Sequence, residues 1–179
     1  MYQINGEVAA SSPIGANGLF FHPYLSGERS PYWDTDLRAS FTGFSLSHRK
    51  ADFARAVMEG VAFSLRDCSR TLEEMALPIN EIRMIGGGAR SELWSRIVCD
   101  VFGKEIVRPA VCDASFGSAL LAGVGVGVFA DALDAVGRCL CGSDRITPDA
   151  AAHERYARLF ETYCQIHDAL APIYKGNRE

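Results

Sequence analysis

The chain has 179 residues, a formal net charge of −4, 48% hydrophobic residues and 22% charged residues. That length and composition suit one domain with a substantial core. The negative balance gives no electrostatic reason to expect nucleic acid as a partner. The four histidines lack metal-ligand spacing and the six cysteines include no Cys-x-x-Cys, so no metal site and no disulfide framework is expected. The thiols read as small buried hydrophobes of a reduced, cytoplasmic protein.

Residues 1–17 show no clear periodicity and read as a lead-in or truncated edge. Met1–Val8 has no basic stretch leading into an apolar core, so no signal peptide is expected. The domain proper is placed at residues 18–174, with 175–179 as a polar tail. It opens on an apolar run, Gly18–Tyr24, read as a buried strand. The loop that follows carries two prolines, Tyr24, Tyr32 and Trp33, with Glu28 and Arg29 among them. Rigid aromatics and charges on a loop suit a site wall or a packed surface loop in which Glu28 and Arg29 pair.

Ala39–Leu46 alternates like a strand, with Gly43 marking a bulge or a close backbone approach. Ser47 is the expected cap of a long helix, Lys50–Ala76, ended by Pro78. Phe53, Val57, Val61, Leu65, Cys68, Leu72 and Met75 recur along it at helical spacing. Arg55, Glu59, Arg66, Arg70 and Glu73 fall mostly off that stripe; Glu59, beside Gly60 and near the apolar face, reads first as a solvated carboxylate and second as a functional one.

Ile82–Ile85 is a short apolar strand that runs into Gly86, Gly87 and Gly88, then Ala89, Arg90, the cap candidate Ser91 and Glu92. A helix follows on Leu93, Trp94, Ile97, Val98, Val101 and Phe102, with Gly103 just past its end. Strand, glycine turn and helix together leave bare backbone beside free helix N–H groups, which suits a flat or anionic ligand. The pattern is neither G-x-G-x-x-G nor the G-x-x-x-x-G-K-[ST] phosphate loop, so a plain tight connection explains it equally.

Glu105–Arg108 reads as a strand, and Asp113 as the cap of a helix over Ala114–Val126. The most apolar run, Phe116–Ala130, is too short for a membrane span and contains four glycines, so a buried helix is expected. A short helix at Ala130–Cys139 and a loop to Asp144 precede the last helix. That helix is capped by Thr147 and Pro148 and presents Tyr156, Leu159, Phe160, Tyr163, Ile166 and Leu170 on one face.

Five of these segments, in this order, resemble the C-terminal part of FGGY-family carbohydrate kinases, on the side of its pentulose kinases. They are Pro23-Tyr-Leu-Ser-Gly-Glu-Arg-Ser-Pro31, Ala39–Phe44 with Asp52–Glu59, Ile85–Glu92 with Trp94, Asp113–Gly123, and the last helix with Tyr156 and Phe160. Phe44 departs from the smaller aliphatic usual in that family. The resemblance implies an α/β chain, the incomplete C-terminal domain of the actin-like ATPase / ribonuclease H-like fold.

It further implies ATP-dependent phosphorylation of a sugar, with D-xylulose expected first and ribulose, fuculose, gluconate or glycerol as alternatives. ATP and Mg²⁺ are the implied cofactors. Gly86, Gly87, Gly88 and Ala89 are the turn against which adenine and ribose lie, and Ser91 and Glu92 border the purine. Glu28 and Arg29 shape a loop near the cleft. The general-base aspartate of the family has no counterpart here. Asp34, Asp36, Asp100 and Asp113 stand in other contexts and read as loop or cap residues. The implied partners are a small sugar and an N-terminal kinase domain, with a homodimer open and no membrane. The chain alone is expected to be inactive, and a non-catalytic nucleotide-binding module is the reading from another class.

Overall fold

The computed structural model describes residues 2–111, 114–139 and 142–175, with residues 2–5 and 114 described by backbone alone. Asp113 as a helix cap, the thiols of Cys112 and Cys141, and residues 176–179 of the polar tail lie outside the described residues.

The segment before residue 18 is ordered against the rest. Helix α1 (Tyr2–Ala10) packs on the long helix α2 (Lys50–Glu74), and Ala9 is fully buried. Its sequence gives little amphipathic signal, so tertiary packing rather than local pattern makes it a helix. A left-handed turn follows, with φ of 82°, 46°, 56° and 89° at Gly15, Ala16, Asn17 and Gly18. Two carboxylates of α2 strap this stretch down. Asp52 accepts from the Ser12 hydroxyl at 2.6 Å and from Asn17 Nδ2 at 2.9 Å. Glu59 accepts the Gly15 N–H at 3.1 Å on both carboxylate oxygens.

Strands β1 (Phe20–His22) and β2 (Ser40–Thr42) pair antiparallel, Phe21 opposite Phe41. The second sheet has the order β3 (Ile82–Arg83), β4 (Ile106–Pro109), β5 (Ser143–Ile146). The β3–β4 pair is parallel, joined through helix α3 (Glu92–Phe102), and β4–β5 is antiparallel. Strand β5 begins within the loop expected to reach Asp144 and runs two residues past it. Its residues Ser-Asp-Arg-Ile bury only Ile146, too little apolar signal to mark a strand.

Helices α4 (Ala114–Gly125) and α5 (Ala132–Cys139) pack on each other between β4 and β5. Against the buried helix expected there, none of the described side chains of α4 is buried. Helix α6 (Ala150–Lys175) starts from Asp149, whose side chain accepts the Ala152 N–H at 2.8 Å, not from Thr147. Ile97, Val98 and Val101 of α3, Ile106, Ile146, Phe63 of α2, and Tyr156 and Tyr163 of α6 make the main core.

Helix α2 is inverted relative to its hydrophobic pattern. Its buried side is Asp52, Arg55, Ala56, Glu59, Gly60, Ala62, Phe63, Asp67 and Ser69. Its apolar stripe is left largely open, with Val57, Leu65, Leu72 and Met75 all exposed. Glu59 is therefore not the solvated carboxylate its sequence suggests. It is 2% exposed, accepts from Arg55 Nε at 2.7 Å and from the Tyr156 hydroxyl at 2.8 Å, and Arg55 also donates to Tyr156 at 2.6 Å. Gly60 beside it lets β1 lie against the helix, since a Cβ there would stand 2.0 Å from the Phe21 carbonyl oxygen. The cap also differs from expectation: Asp52, not Ser47, accepts the Arg49 N–H at 2.8 Å at the helix start. The Ser12 hydroxyl and that amide hold the Asp52 carboxyl below its ordinary range.

Candidate nucleotide site

Strand β3 delivers the chain to the glycines. The ladder to β4 extends one residue past it, with Met84 N–H donating to Val107 O at 3.0 Å. Gly86 then takes φ 79° and ψ −171°, a backbone conformation essentially reserved for glycine. Residues Gly87–Arg90 wind into a single 3₁₀ turn, closed by Ala89 N–H to Gly86 O at 3.2 Å and Ser91 N–H to Gly88 O at 3.0 Å. Ser91 caps α3, its hydroxyl accepting the Trp94 N–H at 3.3 Å. The sequence-based reading of strand, glycine turn and capped helix is what the chain forms.

The turn separates two cavities. On one side is an apolar pocket of about 530 Å³, walled by Phe53, Val57 and Val61 of α2, by Gly87 and Gly88, and by Trp94. Ser91 lines it as well, with Gly6 of α1 and Lys50 at the start of α2. Cβ atoms built on Gly86 and Gly87 would meet nothing within 4 Å, so both positions are bare backbone on open space, and Gly87 borders the pocket. Gly88 is different, because a Cβ there would press on the Trp94 ring at 3.1 Å. On the other side is a polar cleft of about 560 Å³, bordered by Ala89, Arg90, Glu92, Arg108 and Asp144. Arg108 donates to Ala89 O at 3.3 Å, pairs with Glu92 at 2.8 Å and also pairs with Asp144. Those two carboxylates raise the Arg108 guanidinium further above its ordinary value.

The six residues singled out in the sequence thus sit on one turn and the helix start behind it but do not share one surface. Gly87, Gly88 and Ser91 line the apolar pocket, Gly86 sets the turn, and Ala89 and Glu92 face the polar cleft. The pocket's opposite wall was not foreseen. Phe53, Val57 and Val61 carried a helical-core signal, and nothing in the sequence said they would face the turn.

The aromatic loop lies elsewhere. Tyr24 is buried and its hydroxyl meets that of Tyr163 at 2.9 Å. Tyr32 donates to Asp67 and stacks on His167 with ring centroids 3.8 Å apart. Asp67 is fully buried and pairs with Arg70 at 2.7 Å. Trp33 projects outward. Glu28 accepts the backbone N–H groups of Arg29 at 2.7 Å and Ser30 at 3.3 Å, which shapes the loop from within. His22 stacks on Tyr163 beneath it, and burial pushes its imidazole down to about 4.

Two of the aspartates weighed against the family's general base, Asp34 and Asp100, have structural partners. Asp34 pairs with Lys175 at 3.2 Å and accepts the Asp36 N–H. Asp100 is buried and accepts the Asp149 N–H ahead of α6 at 2.9 Å. Of the described cysteines only Cys99 is buried, while Cys68, Cys139 and Cys164 are half-buried. Burial raises the Cys99 and Cys164 thiols to about 11, so both stay protonated near neutrality. Among the described residues no group of three or more His, Cys, Asp or Glu side chains could hold a metal, and no helix is long and apolar enough to cross a membrane.

Comparison with known proteins places this geometry. Residues 5–126 match the FGGY family of carbohydrate kinases, C-terminal domain. A xylulose kinase of Staphylococcus epidermidis is 40% identical over 174 residues, covering 97% of this chain and 34% of its own length. A gluconokinase of Bacillus subtilis is 34% identical over the same shares of both chains. The solved xylulose kinase from Rhodospirillum rubrum superposes with a TM-score of 0.81 at 30% identity, over 97% of this chain and 35% of that one. The gluconate kinase from Lactobacillus acidophilus gives 0.84 at 31%, over 98% and 36%. The chain spans about a third of the length of these relatives.

Proposed function

The chain belongs to the FGGY family of carbohydrate kinases, and we propose that it is the ATP-binding, C-terminal part of a kinase that phosphorylates a sugar. The observation that carries this reading is the bare glycine turn facing a 530 Å³ apolar pocket. A purine ring has the flat, apolar faces that Gly87, Gly88, Val57 and Trp94 would sandwich. The free N–H groups at the start of α3 favour the anionic end of the same ligand.

The fit to a nucleotide is good on size and on the open space at Gly86 and Gly87. For Mg²⁺, an ion carried in on nucleotide phosphates needs only one or two protein carboxylates. When bound, ATP and Mg²⁺ would supply the phosphoryl group and the charge neutralisation for its transfer to a sugar hydroxyl. The part of this chain's residues is to seat the base, fix its orientation against the turn and exclude water from it. The family's general-base aspartate has no counterpart in this sequence, so the group that takes the hydroxyl proton is assigned to the remainder of the kinase.

D-xylulose, giving D-xylulose 5-phosphate, is the first substrate to test, because relatives named xylulose kinase reach 40% identity. Gluconate and glycerol are the second reading, favoured by a gluconokinase at 34% and a glycerol kinase of Citrifermentans bemidjiense at 38% over 124 residues. We place the domain at residues 18–174 with α1 docked on it, and the protein in the cytoplasm. Calorimetric titration of the folded chain with MgATP, with D-xylulose as control, is the test. ATP binding without sugar binding is expected. A folded chain that binds no ATP overturns the assignment of the glycine turn.

A further inference from the structure

The glycine turn is gripped from one side. Toward the pocket, Gly86 and Gly87 carry no side chain, and nothing lies within 4 Å of where one would start. Glycine loses more conformational freedom on ordering than any other residue, so a run of three needs an external hold. The two 3₁₀ hydrogen bonds and the Ser91 cap close the turn on itself. Its back meets Arg108.

Arg108 stands on β4 opposite Asp144 of β5, and the antiparallel register puts both side chains on one face of the sheet. Acceptors from three elements converge on its guanidinium. They are the Ala89 carbonyl of the turn at 3.3 Å, the Glu92 carboxylate of the first turn of α3 at 2.8 Å, and the Asp144 carboxylate. The Arg108 side chain is 13% exposed, but Glu92 and Asp144 are 80% and 61% exposed. Ion pairs with carboxylates this open to water add little stability. What the cluster supplies is direction. A planar fork of five N–H donors fixes several acceptors in one geometry, which a lysine ammonium on its flexible stem does not. The two gripped residues, 89 and 92, flank Ser91, which caps α3 and lines the pocket.

We propose that Arg108 is a positioning residue of the pocket: its guanidinium draws the Ala89 carbonyl and the start of α3 toward the polar cleft, which orders the glycine turn with Gly87 and Gly88 open to the ligand on the opposite face. The proposal rests on the nucleotide reading above and deepens it, since a turn ordered in advance loses less freedom when the ligand binds. Arg108 acts through the turn from the far side of it.

The test compares Arg108→Gln and Arg108→Lys with Arg145→Gln in the 179-residue chain. Arg145 is one residue on from Asp144, hence on the other face of the sheet, and pairs with Glu105 and Glu81. Amide exchange is read residue by residue by NMR without nucleotide, and MgATP affinity by calorimetry. Arg108→Gln is expected to speed exchange at least tenfold at Ala89 and Ser91, whose N–H groups close the turn, with Val98 and Val101 unchanged. Its melting point should stay within about 4 °C of wild type, while MgATP affinity falls at least tenfold. Arg108→Lys should restore neither property, and Arg145→Gln should disturb neither. Wild-type exchange at Ala89 and Ser91 in Arg108→Gln overturns the proposal. So does exchange raised uniformly through β4, β5 and α3, which would make Arg108 a staple of the sheet. Faster exchange with unchanged affinity overturns it too, as does full recovery in Arg108→Lys. A wild-type chain that binds no MgATP removes the nucleotide reading alone, because exchange without ligand still decides whether Arg108 orders the turn. If Arg108→Gln fails to fold, Arg108→Lys is judged by the same exchange and affinity criteria.

Discussion

Replacing Glu59 by Gln tests the reversal of α2 most directly. The side chain keeps its shape but loses its charge, and Arg55, itself 7% exposed, is left as a buried guanidinium without a counter-ion. Breaking a buried ion pair from one side costs about 3 to 5 kcal/mol. Glutamine still offers one oxygen to the Tyr156 hydroxyl and Arg55 Nε, so the lower end applies, about 3 kcal/mol. For a chain of this size each kcal/mol moves the melting point about 2 to 4 °C, which gives a drop of about 6 to 12 °C. The assay is thermal unfolding followed by circular dichroism at neutral pH. A double-mutant cycle with Tyr156→Phe should show coupling of about 1 kcal/mol, because both changes act on one hydrogen-bonded triangle. A solvated carboxylate would instead give a change within about 0.5 kcal/mol. A shift that small would refute the buried network.

Gly87→Val should lower ATP affinity at least tenfold, about 1.4 kcal/mol. Stability should stay within about 0.5 kcal/mol, since the new side chain enters open space at negative φ. Unchanged affinity by calorimetry would remove Gly87 from the site. Gly60→Ala should cost about 3 kcal/mol, because its methyl would drive into the Phe21 carbonyl. A urea midpoint close to wild type would show that β1 does not lie against α2 there. His22 makes stability fall in acid. Its folded-state value, about 4, is below the unfolded 6.5, so the unfolded chain binds the extra proton. Its contribution is intact above pH 6.5 and is lost as pH falls toward 4, by about 3 kcal/mol over that window. Urea titrations from pH 7 to pH 4 should show that loss reduced in His22→Gln, and an unchanged slope would assign it to other groups.

The strand–turn–helix unit was legible because each part has a local cause: apolar Ile82–Ile85, a glycine that must take positive φ at 86, and a serine hydroxyl on the helix start at 91. The face of α3 was legible in part: Ile97, Val98 and Val101 are buried as expected, while Leu93, Trp94 and Phe102 are half-buried and the polar Ser95 and Asp100 are buried with the apolar residues. Helix α1 and strand β5 were not, because neither carries a period; α1 packs on α2, and the turn behind it is tied to Asp52 and Glu59, far away in sequence. The sequence also could not say which face of α2 is covered. Periodicity reports where the apolar residues are, and burial depends on what is there to cover them. Glu59 looked like a surface charge because its partners, Gly15 and Tyr156, lie 44 and 97 residues away.

The outward stripe of α2 has a practical side for anyone producing this protein. By the usual rules of surface redesign, Leu65, Leu72 and Met75 are the first residues to replace with lysine or glutamate, because exposed aliphatics promote association. Such a variant would be better behaved in the tube and easier to crystallise. Val57 on the same stripe has to be left alone, because it walls the apolar pocket opposite Gly87 and Gly88. Where the stripe turns from open surface into pocket wall, solubility and the shape of the pocket pull in opposite directions.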